Sequence, residues 1–445
     1  MPPVAAMPGI ASMPGVTPMP PRIAGLLPWV GAGIGLLRDP TGFFVRGRQR
    51  LGDTFIVDAF GYRLFCVFSP DGVRQLYALP EEQASFGLAT YELVLKRKVP
   101  PELLDGRRTF PHDLFARQEV EDYLENLEEA MRVQIDELGD GGTFEIFETM
   151  RRLGHRLGLS SWAGRETAAP RHLNRLLPAF TRLDTADAFV QPAHALITYA
   201  TGKIRERKAM HAIEAVIAEI LQERRATGTA PGDYLDQIDA AFSDLPSPER
   251  EVNVARDIMV IHMGAQSNLP AALAWTLVNV VRRPELQGRV AAGDDTLLEQ
   301  CANESIRMAQ RSITLRQVLQ PTELVDGKQT YRLAPGVIIT TMLSVTNTTA
   351  APGLTEFDPA HYTGRRLSDA IALPARELVS TFGHGRHSCP AQRFSISAIR
   401  IAITRLLEHY ELEPRFTEAT PRIRQIGGVA RAARPCPVAY RRRRA

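Results

Sequence analysis

The chain has 445 residues, 44% apolar and 23% charged, with 53 Lys and Arg against 50 Asp and Glu for a net charge of +3. That balance is ordinary for a globular protein and excludes a disordered, collagen-like or disulfide-stapled chain. It also excludes a dedicated nucleic-acid binder, which needs a clustered surplus of Lys and Arg. The terminal run Arg441 to Arg444 reads as a solvated tail. Cys66, Cys301, Cys389 and Cys436 lie far apart with no C-x-x-C spacing, which fits a reducing, cytoplasmic setting. At roughly 150 residues per domain the length suggests about three domains, or one large enzyme.

Residues 1–22 form an irregular tail rich in Pro, Met and Ala, without the basic start or long apolar run of a signal peptide or membrane anchor. Residues 54–58 and 63–68 read as two paired strands with Gly61 in the gap. Amphipathic helices are expected over 119–138 and 208–227, followed by a polar break from 233 to 249 containing Pro246 and Pro248. One apolar helix then runs over 257–281, and another over 295–308. Strand-like pieces at 314–318, 329–333 and 337–341 precede an irregular stretch from 350 to 374. A last helix is expected over 390–409, and a last strand over 437–440. The chain is therefore expected to be mainly α with small β-sheets, and no linker separates two self-contained cores.

One cysteine is set apart by its surroundings. In Thr381-Phe-Gly-His-Gly-Arg-His-Ser-Cys-Pro-Ala-Gln-Arg-Phe394 a Gly-rich loop leads to Cys389, and Pro390 suits the first position of a helix. A sulfur at a helix cap is favoured as the thiolate, the form that binds a metal. Gly383 and Gly385 let the loop pass close to a flat partner, and His387 can reach an acidic group on it. A structural cysteine in a tight turn is the alternative. Upstream, Glu304-Ser-Ile-Arg307 places a carboxylate and a guanidinium one helical turn apart.

Phe382, Gly385, His387, Cys389 and Ala391 fill the pattern F-x-x-G-x-[RH]-x-C-x-[GA], and this segment resembles the haem-binding loop of the cytochrome P450 family. The resemblance implies a cytochrome P450 fold, with residues 23–445 as a single domain behind the tail. It implies haem b as cofactor, with Cys389 as axial iron ligand, and Phe382 and Gly385 shaping the loop. Arg316 and His387 would bind the propionates. Glu304 and Arg307 match the family's E-x-x-R, and Phe357-Asp-Pro-Ala-His-Tyr362 resembles the stretch that locks it, with His361 in place of the more usual arginine. These three residues would be structural. His112 and Arg117 stand loosely where an earlier helix contributes a propionate contact.

Within the apolar helix, Gly264-Ala-Gln-Ser-Asn-Leu-Pro270 is a polar knot in which Pro270 frees the carbonyl of Gln266. Ser267 and Asn268 either meet a ligand or water there or cap a second helix half. Most oxygen-activating members of the family have an acid and an alcohol here. Gln266 stands where the acid would be, and an amide orients water but cannot ionise. Gln266, Ser267 and Asn268 are thus the expected catalytic group. The knot with Trp275 looks like the branch containing prostacyclin synthase and the sterol 7α- and 12α-hydroxylases.

The resemblance implies a haem-thiolate monooxygenase that hydroxylates an apolar sterol-, lipid- or terpenoid-like molecule using oxygen. The chain has no flavin or iron–sulfur signature, so electrons would come from a separate ferredoxin or flavodoxin. Gln266 and Asn268 keep a second reading open, an isomerase or dehydratase acting on a peroxide without external electrons. A non-catalytic haem protein is a third.

Overall fold

The expected pair of strands forms a tight hairpin. Thr54–Ala59 and Tyr62–Val67 run antiparallel with Thr54 opposite Val67 and Ala59 opposite Tyr62. Their two-residue turn, Phe60-Gly61, has φ of 53° and 79°, the double positive φ whose twist matches that of paired strands. In this computed structural model the described residues are 19–25, 27–109, 117–185 (117–122 by backbone alone), 197–327, 329–364 and 366–444. The chain divides into two compact units. The first comprises Met1–Leu95, Ile306–Cys389 and Arg422–Ala430, and the second Lys96–Ser305, Pro390–Pro421 and Arg431–Ala445.

In the first unit the hairpin extends into a sheet with strand order Arg22–Ile23, Thr54–Ala59, Tyr62–Val67, Ile338–Met342, Ile313–Val318, Ala84–Ser85. Both faces of the sheet are buried, which is why its strands read as nearly continuous apolar runs. Ile56, Phe65, Val67 and Ile339 pack into one core cluster. Their alternates Phe55, Val57, Leu64, Cys66 and Ile338 pack into another, as a period of two requires. Thr322–Asp326 pairs with Gln329–Leu333 in a separate hairpin. The first of these strands and the helix Leu343–Thr349 lie where no element is expected from sequence.

The second unit is helical, built on Arg117–Leu138, Ile146–Trp162, Pro170–Leu183, Ile204–Thr227, Glu249–Ala265, Asn268–Val281 and Gln392–His409. Gly154 allows Ile146–Trp162 to approach Asn268–Val281 closely, since a Cβ there would lie 2.7 Å from Cγ of Pro270. The expected polar break contains a helix after all, Tyr234–Ala241, because Asp233 caps it by accepting from the Asp236 N–H at 3.2 Å. The expected continuous helix over 257–281 is instead two. Glu249–Ala265 ends before Gln266, and Pro270 is the third residue of Asn268–Val281. There its missing N–H is one that no intrahelical carbonyl would have accepted, so the break costs no hydrogen bond. The arginine run is not simply a tail. Arg441 and Arg442 belong to strand Pro437–Arg442, which pairs with Tyr410–Pro414 and Gly141–Glu145, and Arg441 meets Glu411 at 2.6 Å. Among the described residues no helix is long and apolar enough to cross a membrane.

Two histidines are buried together in this unit. His155 Nδ1 lies 2.8 Å from His262 Nε2, and Trp162 and Phe180 pack around the pair. Burial, reinforced by Arg151 and Arg431, pushes His155 down to about 3. Burial, with His155 as a lesser cause, also holds His262 well below its ordinary value. Both rings are therefore neutral when folded, whereas an unfolded histidine takes up a proton near pH 6.5. Their contribution to stability is complete above that pH and is lost as the pH falls below about 6.5, for His155 down to about 3. Denaturant titrations at pH 7.5, 6 and 5 should show a steady acid loss. In the double variant His155→Phe, His262→Phe the loss should be shallower, and an unchanged slope would assign it to other groups.

Candidate functional site

The loop from Thr381 to Ala391 is held by its own backbone and by residues of the first unit. The Cys389 N–H donates to the Phe382 carbonyl at 2.6 Å, closing the intervening residues into a turn. Gly383 has φ +80°, and a Cβ on it would sit 2.4 Å from the His387 carbonyl oxygen. No side chain fits there. Gly385–His387 forms a short 3-10 turn, and His384 Nε2 lies 2.9 Å from the Val379 carbonyl, with its ring edge-on to Tyr77. Phe382, His387 and Cys389 are half-buried, and Gly385 is exposed.

The following helix begins later than its proline suggests. Ala391, at φ −83° and ψ 14°, is outside the helix, so Gln392 is the first helical residue. Pro390 therefore does not occupy the first helical position, and Cys389 lies two residues before the cap instead of on it. The sulfur-bearing residue thus precedes the helix end instead of capping it. The remaining sulfurs make poor donors, for burial raises Cys66 well above its ordinary value, Cys301 to about 12 and Cys436 to about 11. All three are buried, whereas Cys389 is only partly so.

Beside the loop a guanidinium and an imidazole converge on one carboxylate. Arg316, on strand Ile313–Val318, is 1% exposed, and its guanidinium donates to the carbonyls of Ala84 at 2.9 Å and Tyr77 at 3.4 Å. It stands 3.7 Å from Oε2 of Glu81, and His387 Nε2 stands 3.8 Å from the same atom. Burial lowers His387, Arg316 lowers it further, and Glu81 pulls the other way. Burial would raise the Glu81 carboxyl, but hydrogen bonds from Ser85, Gly87 and Phe86, together with His387, hold it below the usual carboxylate range. The spacing shows that an acidic group can be reached by Arg316 and His387 at once. A haem fits this donor set, with one accessible sulfur on a glycine-shaped loop and a guanidinium and an imidazole beside it.

The helix Asp295–Ala309 carries Glu304 and Arg307, both fully buried. Arg307 donates to the carbonyls of Asn347 at 2.6 Å and Leu354 at 2.8 Å. The amide of Asn347 returns a hydrogen bond to the Arg307 carbonyl at 3.0 Å. It also donates to the Ser380 carbonyl at 3.0 Å and accepts from the Ser380 N–H at 2.8 Å. Tyr362 Oη and Thr381 Oγ1 lie 2.7 Å apart, so the stretch containing half-buried His361 is tied to the start of the cysteine loop through Tyr362. Glu81, Asn347, Tyr362 and Thr381 are the members that sequence reasoning missed. His112 lies outside the described residues, and of Arg117 only its place in the helix is described.

Gln266, Ser267 and Asn268 belong to the second unit. Gln266 is 3% exposed, and among the described residues neither its Nε2 nor its Oε1 has a hydrogen-bond partner. Ser267 occupies the cap position of Asn268–Val281 without a side-chain capping bond. Asn268 is exposed, with its amide 3.4 Å from the Gly264 carbonyl.

Asn347→Leu would leave three buried backbone groups without partners, at about 1–3 kcal/mol each. Urea unfolding should show a loss of roughly 3 kcal/mol or more, while Thr348→Ala, which removes only a bond to its own helix, should cost under about 1 kcal/mol. A profile described as cytochrome P450 matches residues 180–436, more than half the chain and parts of both units. The mouse (Mus musculus) 24-hydroxycholesterol 7-alpha-hydroxylase is 22% identical over 95% of this chain and 93% of its own length. The sterol 14alpha-demethylase of Mycobacterium tuberculosis is 22% identical over 91% and 94%. A cytochrome P450 monooxygenase of Aspergillus niger, pynD, is 24% identical over 88% and 85%. The chain therefore belongs to the cytochrome P450 family and is a haem-iron monooxygenase.

Proposed function

We propose that residues 23–445 work as one cytochrome P450 domain, and that it hydroxylates a sterol-, lipid- or terpenoid-like molecule with electrons from a separate ferredoxin- or flavodoxin-type protein. The observation that carries the reading is the convergence of Arg316 and His387 on one carboxylate position beside the Cys389 loop. Cys389 would supply the sulfur that ligates the iron of haem b, and Arg316 and His387 would hold its propionates. Phe382 and Gly385 shape the loop, while Glu304, Arg307 and His361 keep it in place. When bound, thiolate-ligated haem supplies oxygen activation. A sterol-like substrate is supported by the printed activities of relatives aligned over nearly the whole chain. A cytoplasmic location is supported by four cysteines that form no disulfide.

Gln266 orients water or substrate through an amide that has no partner among the described residues. Ser267 and Asn268 flank it at the helix break. An amide at this place cannot deliver a proton by ionising, which favours a second reading in which the oxygen arrives on a peroxide substrate and is rearranged.

Reduced, carbon-monoxide-bound protein should show the red-shifted Soret band of thiolate ligation, and Cys389→Ser should abolish it. Purified protein without haem would overturn the assignment. Turnover with oxygen and a ferredoxin or flavodoxin reductase chain is expected to give hydroxylated product. Activity with an organic peroxide alone, yielding only rearranged products, would select the second reading.

A further inference from the structure

Away from the cysteine loop, two helices of the second unit bring a buried imidazole against two carboxylates. His172, on Pro170–Leu183, is fully buried, and Glu219 and Glu223 lie one turn apart on Ile204–Thr227. One ligand atom from each of the three lies within 4.8 Å of the others. His172 Nδ1 is 2.9 Å from the Glu166 carbonyl. A carbonyl only accepts, so Nδ1 carries a proton, and in the neutral ring Nε2 offers a lone pair. Among the described residues Nε2 has no partner within hydrogen-bond range, and Oε1 of Glu219 lies 3.5 Å from it.

The carboxylates are held so that one oxygen of each remains available. Arg175 takes Oε2 of Glu219 at 2.7 Å, and Arg171 takes Oε2 of Glu223 at 2.8 Å. The ring nitrogen and the carboxylate oxygen face each other across 3.5 Å, a contact that a cation between them, a proton or a metal ion, makes attractive. We propose that His172 Nε2, Glu219 and Glu223 bind a divalent first-row metal ion of the zinc type, linking helix Pro170–Leu183 to helix Ile204–Thr227.

A mixed nitrogen and oxygen set suits zinc better than calcium or magnesium, which take oxygen donors alone. Bonds of about 2.0–2.1 Å would draw the three atoms to about 3.4 Å apart, a closure within reach of glutamate side-chain rotation. The backbone carbonyl behind His172 sets its tautomer, and the two arginines orient the carboxylates from the outer side. Their positive charge also limits the affinity. The fourth position faces solvent through Glu223, the most exposed of the three, so water completes the coordination.

The test uses the haem-loaded full-length protein. After equilibration with micromolar zinc and dialysis, elemental analysis should give one zinc per chain in addition to the haem iron, and calorimetric titration with zinc chloride should show a single site. Glu223→Gln and Glu219→Gln alter partly exposed side chains and should each weaken zinc binding about tenfold or more. Glu285→Gln, on another exposed helix turn, should leave it unchanged. Zinc should also raise the melting temperature of the parent protein but not of Glu223→Gln. Zinc uptake no greater in the parent than in Glu223→Gln, or equal loss in Glu285→Gln, would overturn the proposal.

Discussion

The first unit depends on how one buried cation is satisfied. Arg307 has no exposed surface, so its guanidinium must find acceptors inside the protein, and it finds them in backbone carbonyls of Asn347 and Leu354. Carbonyls are present whatever the side chains are. This is how a stretch poor in regular structure is pinned against the end of the Asp295–Ala309 helix without a sheet or helix of its own. Asn347 then passes the constraint on, with one bond back to Arg307 and two to Ser380, the residue just before the cysteine loop. The position of the loop thus follows from hydrogen-bond bookkeeping as much as from apolar packing.

Charge arranges the other side of the loop. Arg316 is buried with two carbonyls for partners, and it faces the carboxylate of Glu81, whose side chain is 45% exposed. Glu81 is in turn secured by Ser85 at 2.6 Å and by the N–H groups of Gly87 at 3.0 Å and Phe86 at 3.1 Å. A guanidinium that faces an anion at 3.7 Å, beyond hydrogen-bond range, retains capacity for a second acid. Glu81 then becomes either a companion of that acid or its competitor. Its exposure lets it turn toward water when the second acid arrives, whereas Arg316 cannot move without abandoning its backbone acceptors.

Much of this was legible in the sequence where a local rule applied. The hairpin followed from β-branched and aromatic runs about a glycine, the long helices from their apolar period, and the cysteine loop from its glycine spacing. What escaped depended on distant partners. Asn347 sits in a seven-residue helix, Leu343–Thr349, with Thr at three positions and no side-chain cap, so neither propensity nor capping announces it. Arg441 and Arg442 look like a charged tail until Glu411 and the strand register are known. Pro390 and Pro270 show the same limit from the other side. Each residue type is allowed at a helix start, yet one helix begins two residues after its proline and the other two residues before.

Gln266 brings local and global requirements into conflict. An amide buried to 3% with both polar atoms unpaired costs the fold about 1–3 kcal/mol for each atom, and such a cost persists where something besides folding retains the residue. An acid at the same place would fare differently. Burial without a paired cation would raise its pKa and keep it protonated, so it would gain a proton to donate while losing ease of ionisation. The amide removes that dependence on pH and leaves a fixed donor and acceptor in its place. An amide here keeps its donor and acceptor character at any pH, whereas an acid would change charge. The helix break directly after Gln266, which Pro270 accommodates without losing a hydrogen bond, leaves the residue between the two helices.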